Sequence, residues 1–292
     1  MSEKISIVMA VKDEEKYIEL AIQSILDQVD VDVELIIVDD NSSDSTFEII
    51  KSIASSDNRI VFERSPGPGK VSAFKNGCSF AGGKYIALFA GDDVMPQGSL
   101  AKRVKAIKEI VSPAVLMSKI QVLSDEKKID GILIPKKKGR GNPSGASIIF
   151  DREAAKYLMD IPDSLPNEDT WMDFCITYLP MLNVRSHDDV SCLWRVHSGN
   201  SITIKDGYQT FNKKFSKRMN VIGEFLKKYG NILPADRSMY LRNLACAEEA
   251  RRKGDWLKIL FAKISFSDKA RFLAYSNKYF YAVRKIIRAI CI

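Results

Sequence analysis

A repeated pattern of apolar run, polar turn and amphipathic segment in the first hundred residues constrains this fold more than any other feature of the sequence. Residues 5–11 form a β-rich apolar run, and apolar residues return at helical spacing over 18–26. The run 33–38 ends in the polar turn 39–44, after which 45–53 again has helical spacing. Strands that alternate with helices in this way predict an α/β fold with a doubly wound, mainly parallel sheet.

The same pattern continues, less regularly, into the middle of the chain. A third strand is predicted over 59–63, a helix over about 71–80 and a fourth strand over 84–90. Two further strands, over 115–122 and 129–134, flank a polar turn. These elements would extend the sheet beyond its regular first half.

Acidic residues follow three of the predicted strands: Asp13 the first, Asp40 the second and the pair Asp92-Asp93 the fourth. Because ligands of such sheets bind beyond the carboxyl ends of the strands, we expect these carboxylates to converge on one edge. Their mutual repulsion implies a bound metal ion or a basic group of a ligand. The first turn lacks the glycines of a dinucleotide-binding fingerprint, which disfavours a dehydrogenase.

Positive charge is concentrated towards the C-terminal end of the chain. Residues 1–202 carry 24 Lys and Arg against 30 Asp and Glu, whereas residues 203–292 carry 20 against 7. After residue 210 the apolar spacing is mainly helical. We therefore predict a catalytic body over 1–202 and a helical, basic region over 203–292, whose charge points to membrane headgroups or nucleic acid as a partner.

The cysteines and the N-terminal residues bear on the cellular compartment. The five cysteines are scattered, odd in number and without CxxC spacing, which fits neither a disulfide framework nor a zinc cluster. The acidic residues 13–15 stand where a signal peptide needs small residues, and we find no apolar run of about 18 residues free of charge. We expect reduced thiols in a cytoplasmic protein.

Short motifs follow one another in a definite order between residues 4 and 202. They are residues 5–18, 24–28, 34–46, 76–77, 81–86, 91–96, 167–169 and 194–201. In residue type, order and spacing they resemble the inverting family 2 glycosyltransferases of GT-A fold. The resemblance implies a nucleotide-binding half over about 1–97 and an acceptor half over about 98–202.

The resemblance implies a site for a nucleotide-diphosphate sugar in the first half. Asp40 matches the position that accepts from the base ring N–H, with capping of the next helix as the alternative. Asp92 would contact the ribose, and Asp93 would bind Mn²⁺ or Mg²⁺, ions that take oxygen ligands. Lys70 would reach the base or phosphates, or is a solvated loop lysine. Many members have another Asp where this chain has Ala90.

The resemblance also implies which residues act on the acceptor and the diphosphate. Asp169 matches the general base that deprotonates the acceptor hydroxyl during in-line attack on the anomeric carbon, with Glu168 as the second candidate. Both stand at a predicted helix start, where capping is the alternative role. Arg195 would bind phosphate oxygens, and His197 would complete the metal shell or is a structural histidine. Ser147 would line the sugar and acceptor pocket.

Two basic segments stand outside these motifs. The loop 136–140 contains three lysines, a glycine and an arginine, and it either closes over the donor phosphates or is a solvated loop. In 268–292, six Lys and Arg alternate with aromatic and aliphatic residues. This pattern favours either a helix in a membrane interface or an amphipathic helix packed on protein.

We therefore predict an inverting, metal-dependent glycosyltransferase. It would move a hexosyl or N-acetylhexosaminyl group from a nucleotide-diphosphate sugar, taken as a UDP-sugar, to a hydroxyl of a glycan or lipid-linked acceptor. Surface polysaccharide or lipopolysaccharide synthesis at the inner face of the cell membrane would suit the basic C-terminal region.

The alternatives are a nucleotidyltransferase that makes the sugar nucleotide, a non-catalytic nucleotide-sugar-binding protein and a nucleic-acid-binding α/β protein. A nucleotidyltransferase would normally carry a Gly-rich basic loop after its first strand, where this chain has the acidic turn 12–15. The net negative charge of 1–202 disfavours a nucleic-acid-binding body, so nucleic acid is not expected as a partner.

Overall fold

The computed structural model of the protein describes residues 3–197 and 207–291. The chain divides into two compact units, Met1–His197 and Ser198–Ile292. The predicted boundary between residues 202 and 203 lies outside the described residues.

The strands that the structure describes all lie in the first unit. Those found among the described residues are β1 (Ile5–Val11), β2 (Val33–Asp39), β3 (Ile60–Arg64), β4 (Tyr85–Ala90), β5 (Ala114–Leu123), β6 (Leu133–Ile134), β7 (Ile148–Asp151) and β8 (Asn183–Arg195). They form one mixed sheet with the order β3-β2-β1-β4-β7-β5-β6, and β8 pairs with β5. The first four strands are mutually parallel, β7 and β6 are antiparallel to their neighbours, and β8 is parallel to β5. The mainly parallel α/β sheet expected from the sequence is confirmed.

The helices of the first unit cover the sheet. They are α1 (Ile18–Leu26), α2 (Thr46–Ala54), α3 (Lys70–Phe80), α4 (Ser99–Ile107), α5 (Arg152–Leu158) and α6 (Glu168–Tyr178). The five apolar residues of α1 predicted from helical spacing are all buried, and they join the core cluster that includes β1 and β2. β1 is buried along almost its whole length, because a parallel sheet packed on both faces leaves few positions for polar residues.

Close packing fixes α3 against the sheet. A Cβ at Gly77 would overlap Val8 Cγ1 of β1 and would stand 3.1 Å from Val38 Cγ2 of β2. Only a residue without a side chain permits this approach of helix to sheet. The packing sets the position of Lys70, the first residue of α3, at the carboxyl edge of the strands.

The second half of the sheet differs from the sequence prediction. The strand expected over 129–134 is reduced to the two residues of β6, and β7 and β8 were not predicted. β8 contains the polar run 185–189, which lacks the apolar pattern of a buried strand, and its pairing with β5 is interrupted by register shifts between Met117 and Ile120. Tertiary pairing with β5, rather than local pattern, makes this segment a strand.

The second unit is helical over its described residues, as the spacing predicted. Its helices are α7 (Tyr208–Met219), α8 (Val221–Tyr229), α9 (Ala235–Lys253), α10 (Trp256–Phe261), α11 (Phe266–Ala274) and α12 (Lys278–Cys291). Buried Arg251 of α9 donates to both carboxylate oxygens of Glu248 at 2.6 and 2.7 Å, to Ser216 Oγ of α7 at 2.7 Å, and to the carbonyl oxygen of Tyr275 at 3.3 Å.

Within residues 3–197 and 207–291, no helix combines the length and the apolar character that spanning a bilayer requires.

Candidate active site

The polar turn after β2 places Asp40 at the carboxyl edge of the sheet. The Asp40 carboxylate is largely buried and accepts from the Gly69 N–H, at 2.8 and 3.0 Å to its two oxygens. Other residues bond the backbone N–H groups before and at the start of α2. Asp44 accepts from the Thr46 N–H at 3.0 Å, and Asp39 accepts from the Ser42 N–H in the preceding turn. Asp40 therefore does not cap α2 but ties the turn after β2 to the loop that leads into α3.

The turn after β4 brings four of the predicted site residues together. Asp93 is 3% exposed, and its Oδ1 accepts from the backbone N–H of Arg195 at 2.9 Å. The Nε of Arg195 donates to the carbonyl oxygen of Asp92 at 2.8 Å, and Nε2 of His197 lies 3.1 Å from Asp92 Oδ2. The end of β8 is thus bound to the end of β4, although the two segments are about a hundred residues apart in sequence.

Tyr17 is a site residue that the sequence did not reveal. The Arg195 guanidinium lies 4.6 Å from the centre of the Tyr17 ring, and the His197 ring centre lies 5.2 Å from it. An aromatic face orients both side chains and attracts the cation. A single tyrosine at a helix start carries no signal of this role.

Glu14 is a second missed residue, and it adds negative charge beside Asp92 and Asp93. Burial, together with the charges of those two residues, raises the pKa of Glu14 to about 8. Burial and the Asp92 charge raise the pKa of Asp93 to about 7, although the Arg195 N–H opposes this. From the acidic turn after β1, the sequence predicts Asp13, and not Glu14, as the carboxylate at this edge of the sheet. Asp13 instead accepts from the Ser43 N–H at 2.7 Å.

These carboxylates could bind a metal cation only together with further ligands. Burial is the main cause of both raised pKa values, and repulsion among these carboxylates adds to it; a bound divalent ion would relieve that repulsion. Among the described residues, however, no three His, Cys, Asp or Glu side chains are grouped so that they alone could hold a metal. A divalent ion here would need oxygens from a bound ligand and from water, as Mg²⁺ often does.

A second cluster is built at the starts of α3 and α6. Lys70 Nζ lies 2.7 Å from Glu168 Oε1, and Asp169 Oδ1 accepts from the Gly145 N–H at 2.7 Å. Glu168 is 1% exposed, and its Oε2 is buried without a hydrogen-bond partner among the described residues. The lysine predicted to reach a nucleotide is therefore held by a carboxylate of the acceptor half.

Charge couples the two clusters. Partial desolvation of the Lys70 ammonium group opposes its positive charge, but the charges of Glu168, Asp169 and Asp93 outweigh it and raise the pKa of Lys70 above its usual range. Burial raises the pKa of Glu168, while the charge of Lys70 lowers it. Lys70 thus lies within electrostatic range of both the predicted metal ligand and the predicted base.

The structure does not support a substrate contact for Ser147. Its side chain is fully buried, and its hydroxyl donates to carbonyl oxygens of Asn142 and Ser144, the latter at 2.8 Å. The residue shapes the turn before β7, because its local hydrogen bonds close the segment 142–147. The motif residues 198–201, including Asn200 and Ser201, lie outside the described residues.

The geometry defines an α/β protein with a carboxylate-lined site at the carboxyl edge of a mainly parallel sheet. Comparison with known proteins gives this class a family. The model of glycosyl transferase family 2 matches residues 6–150, about half of the chain. This stretch begins in β1 and ends in β7. The chain belongs to glycosyl transferase family 2.

Relatives of known sequence agree. Glycosyltransferase GlyG of Streptococcus pneumoniae serotype 4 is 32% identical over 110 residues, 37% of this chain and 36% of that protein. The GalNAc(5)-diNAcBac-PP-undecaprenol beta-1,3-glucosyltransferase of Campylobacter jejuni is 29% identical over 108 residues, 36% of this chain and 35% of that protein. The matched region spans little more than a third of each of these relatives.

Solved structures share the fold over nearly the whole chain. The structure of S. aureus TarS 1–349 in complex with UDP matches 95% of this chain and 72% of its own chain. The sequence identity is 18%, and the TM-score is 0.54. The structure of mannosyltransferase PcManGT of Pyrobaculum calidifontis, in complex with GDP-Man and Mn²⁺, matches 99% of this chain and 81% of its own chain. The sequence identity is 15%, and the TM-score is 0.54. The GT-A fold expected from the sequence is confirmed by these likenesses.

Proposed function

We propose that this protein is an inverting glycosyltransferase that uses a nucleotide-diphosphate sugar, most simply a UDP-sugar. The observation that carries the proposal is the meeting of two clusters at one sheet edge. Asp92, Asp93, Arg195 and His197 form one cluster, and the Glu168-Asp169 pair forms the other. Structural neighbours in complex with UDP, UDP-GlcNAc and GDP-Man support a nucleotide-sugar donor.

The donor would lie along the first cluster. Asp40 would accept a hydrogen bond from the base once its hydrogen bond from the Gly69 N–H is broken, and Asp92 would contact the ribose. Asp93 and His197 would hold Mn²⁺ or Mg²⁺ together with phosphate oxygens, and the ion would stabilise the charge of the departing diphosphate. Arg195 adds a second positive charge beside the phosphates. A neighbour in complex with Mn²⁺ supports the ion.

The acceptor would lie at the second cluster. Its hydroxyl oxygen attacks the anomeric carbon while the bond from that carbon to the diphosphate oxygen breaks, and the electron pair leaves with the nucleotide. The hydroxyl proton passes to Asp169, whose carboxylate is oriented by the Gly145 N–H. Attack from the face opposite the leaving group inverts the configuration. Glu168 would hold Lys70 in position beside the reacting groups.

We further propose that the acceptor is lipid-linked and that the protein meets it at an anionic membrane surface. In the second unit, Phe261 and Phe266 are 79% and 86% exposed, and Trp256 and Tyr279 are also exposed. The surrounding region is strongly basic, which favours anionic headgroups. The Campylobacter jejuni relative, whose name specifies an undecaprenol-linked acceptor, supports this choice.

The proposed activity can be tested by measuring thermal unfolding with UDP, GDP and dTDP, each with and without Mn²⁺. One nucleotide at about 100 times its dissociation constant should stabilise the protein by about 2.7 kcal/mol, and only with the metal. Asp93→Asn should abolish this shift. Asp125→Asn, which changes an exposed acid after β5, should keep it.

A second measurement separates binding from chemistry. Asp169→Asn should retain the nucleotide-dependent shift but lose sugar transfer from the selected donor by about a hundredfold or more, because the general base is gone. If no nucleotide stabilises the wild-type protein, the proposed function is wrong. If Asp169→Asn transfers sugar normally, the assignment of Asp169 as the general base is wrong.

A further inference from the structure

Four cationic side chains project from the loop after β6. Lys136, Lys137, Lys138 and Arg140 are all exposed. Within the described residues, none of the four lies within ion-pair distance of a carboxylate, although the charge of Lys138 contributes to the lowered pKa of Asp188. The loop follows a sheet strand, yet it carries a density of positive charge that neither the fold nor the proposed donor site uses.

The first half of this loop is held in place by a buried lysine. Lys119 of β5 is 4% exposed, and its Nζ donates to the carbonyl oxygens of Pro135 and Lys137 at 3.1 and 2.8 Å. The same Nζ lies 3.3 Å from Asp188 Oδ1, which accepts from the Gly139 N–H at 2.8 Å. The Asp188 carboxylate therefore holds the loop chiefly through Lys119 and the Gly139 N–H, and the four cationic side chains stay exposed to solvent.

The second half of the loop is fixed against the sheet. The Asn142 N–H donates to the Ser118 carbonyl oxygen at 2.8 Å, and a Cβ at Gly141 would stand 2.5 Å from the carbonyl oxygen of Met117. Closure of the loop over a donor would break these contacts. The structure thus favours a fixed cationic platform over the mobile lid that its glycines suggested.

The platform leads directly to the predicted general base. Arg140 precedes Gly145 by five residues, so their Cα atoms are at most about 18 Å apart. Gly145 donates its N–H to Asp169, the residue that would accept the proton of the attacking hydroxyl. The intervening turn is closed by the Ser147 hydroxyl. Arg140 therefore lies within the length of a short oligosaccharide of the residue that orients Asp169, on the acceptor half of the protein.

We propose that the loop 136–140 binds a phosphate group of the acceptor. The inference rests on the proposed function, because it assumes that Asp169 marks the acceptor site. In the proposed donor site, Arg195 and the ion that Asp93 would hold would already offset the charge of the donor phosphates, so we assign the loop to a different anion. The phosphate belongs either to a lipid diphosphate linker or to the glycan itself, and both present oxygens that Lys and Arg bind well.

Fluorescence polarisation with two phosphorylated probes and one neutral probe tests the proposal. The probes are fluorescein-labelled maltotetraose 1-phosphate, labelled farnesyl diphosphate in micelles and labelled unphosphorylated maltotetraose. Binding is measured with Mn²⁺ and the nucleoside diphosphate that stabilises the protein, so that the donor site is filled. The loop variant is Lys136→Gln/Lys138→Gln/Arg140→Gln. The matched control, Lys51→Gln/Lys102→Gln/Lys105→Gln, removes equal charge from exposed positions elsewhere in the first unit.

The wild-type protein should bind at least one phosphorylated probe about tenfold more tightly than neutral maltotetraose. The loop variant should lose this preference, and the control should keep it. Preference for farnesyl diphosphate assigns the phosphate to a lipid linker, and preference for the sugar phosphate assigns it to the glycan.

Three results would overturn the inference. They are no preference for a phosphorylated probe, an equal loss in both variants, and a loop variant whose nucleoside diphosphate affinity falls while the control's does not. The last result would assign the loop to the donor. If no nucleoside diphosphate binds the wild-type protein, the proposed function fails, whereas the phosphate preference of the loop is still measured in its absence. Circular dichroism melting verifies that both variants fold, as expected for exposed side chains without ion pairs.

Discussion

Glu168 depends on a single cation for its charge. The side chain is 1% exposed, one carboxylate oxygen contacts Lys70 Nζ at 2.7 Å, and the other is buried without a partner in the described part of the chain. Burial raises the pKa of this carboxyl and Lys70 lowers it. A buried ion pair of this kind contributes little to stability as a whole, but loss of either member leaves an uncompensated charge.

Lys70→Met should therefore make stability depend on pH. At pH 8 we expect the free energy of unfolding to fall by about 1–3 kcal/mol, less than for a fully buried pair because the Lys70 side chain is 45% exposed. Without the cation, the folded-state pKa of Glu168 rises further above its unfolded value. The loss is then absent below the unfolded pKa, about 4.3, and grows as the pH rises through the folded pKa.

Urea unfolding of the variant at pH 5 and pH 8 measures this dependence. Lys70→Met/Glu168→Gln serves as the control, because the double variant has no carboxyl group left to titrate at this position. Equal destabilisation of Lys70→Met at both pH values would show that Glu168 does not respond to Lys70.

At the scale of elements, α3 places its first residue by packing against two strands. The predicted helix over about 71–80 agrees closely with the observed helix Lys70–Phe80. Its apolar spacing indicated a helix, but the depth of its contact is set at Gly77, next to Val8 and Val38. The position of Lys70 at the active-site edge follows from that contact.

Gly77→Ala tests the close approach. Alanine favours a helix by about 1 kcal/mol over glycine, yet the added methyl group would overlap Val8, so we expect a net loss of about 1–3 kcal/mol in unfolding free energy. In Gly223→Ala, also within a helix, nothing lies within 4 Å of the new methyl group, and we expect stabilisation of up to about 1 kcal/mol. Chemical denaturation of both variants gives the comparison. Similar gains at both positions would contradict tight packing of α3.

At the scale of the whole molecule, the chain joins two units of opposite charge. The basic charge predicted beyond residue 202 falls on a unit whose described residues are helical and which exposes large apolar side chains such as Phe261 and Phe266. Exposed aromatic residues among cations suit the interface of an anionic bilayer, where the rings leave water and the cations stay near the headgroups.

Sedimentation with vesicles should show this preference. We expect the protein to sediment with vesicles of phosphatidylglycerol and phosphatidylethanolamine but weakly with phosphatidylcholine, and the binding should fall as salt is raised. Phe261→Ser/Phe266→Ser should lower the affinity about tenfold or more, because the variant lacks the two aromatic rings whose transfer from water to the bilayer would favour binding.

Phe80→Ser/Val111→Ser, which alters exposed apolar residues of the first unit, is the matched control and should bind as the wild-type protein does. Equal loss in the two double variants, or equal binding to neutral vesicles, would contradict a specific membrane surface on the second unit.

Local patterns were enough to predict the first half of the sheet and the places where its chemistry gathers. Strands ending at Asp39 and Ala90 put Asp40 and Asp92-Asp93 at one edge, because parallel strands point their carboxyl ends the same way. Local patterns did not predict β8, whose polar residues 185–189 become strand only through pairing with β5. They also could not show that the hydroxyl of Ser147 is buried in its own turn.

By itself, the sequence determined the alternation of strands and helices, the acidic turns and the separation of charge between the two ends of the chain, since these depend on neighbouring residues and their spacing. Only the tertiary structure decided that Glu14 joins Asp92 and Asp93, that Lys70 pairs with Glu168 and that Lys119 holds the basic loop. The physical reason is distance along the chain. Burial and charge coupling arise between groups that sequence separates by tens of residues, and packing alone brings those groups within a few ångströms.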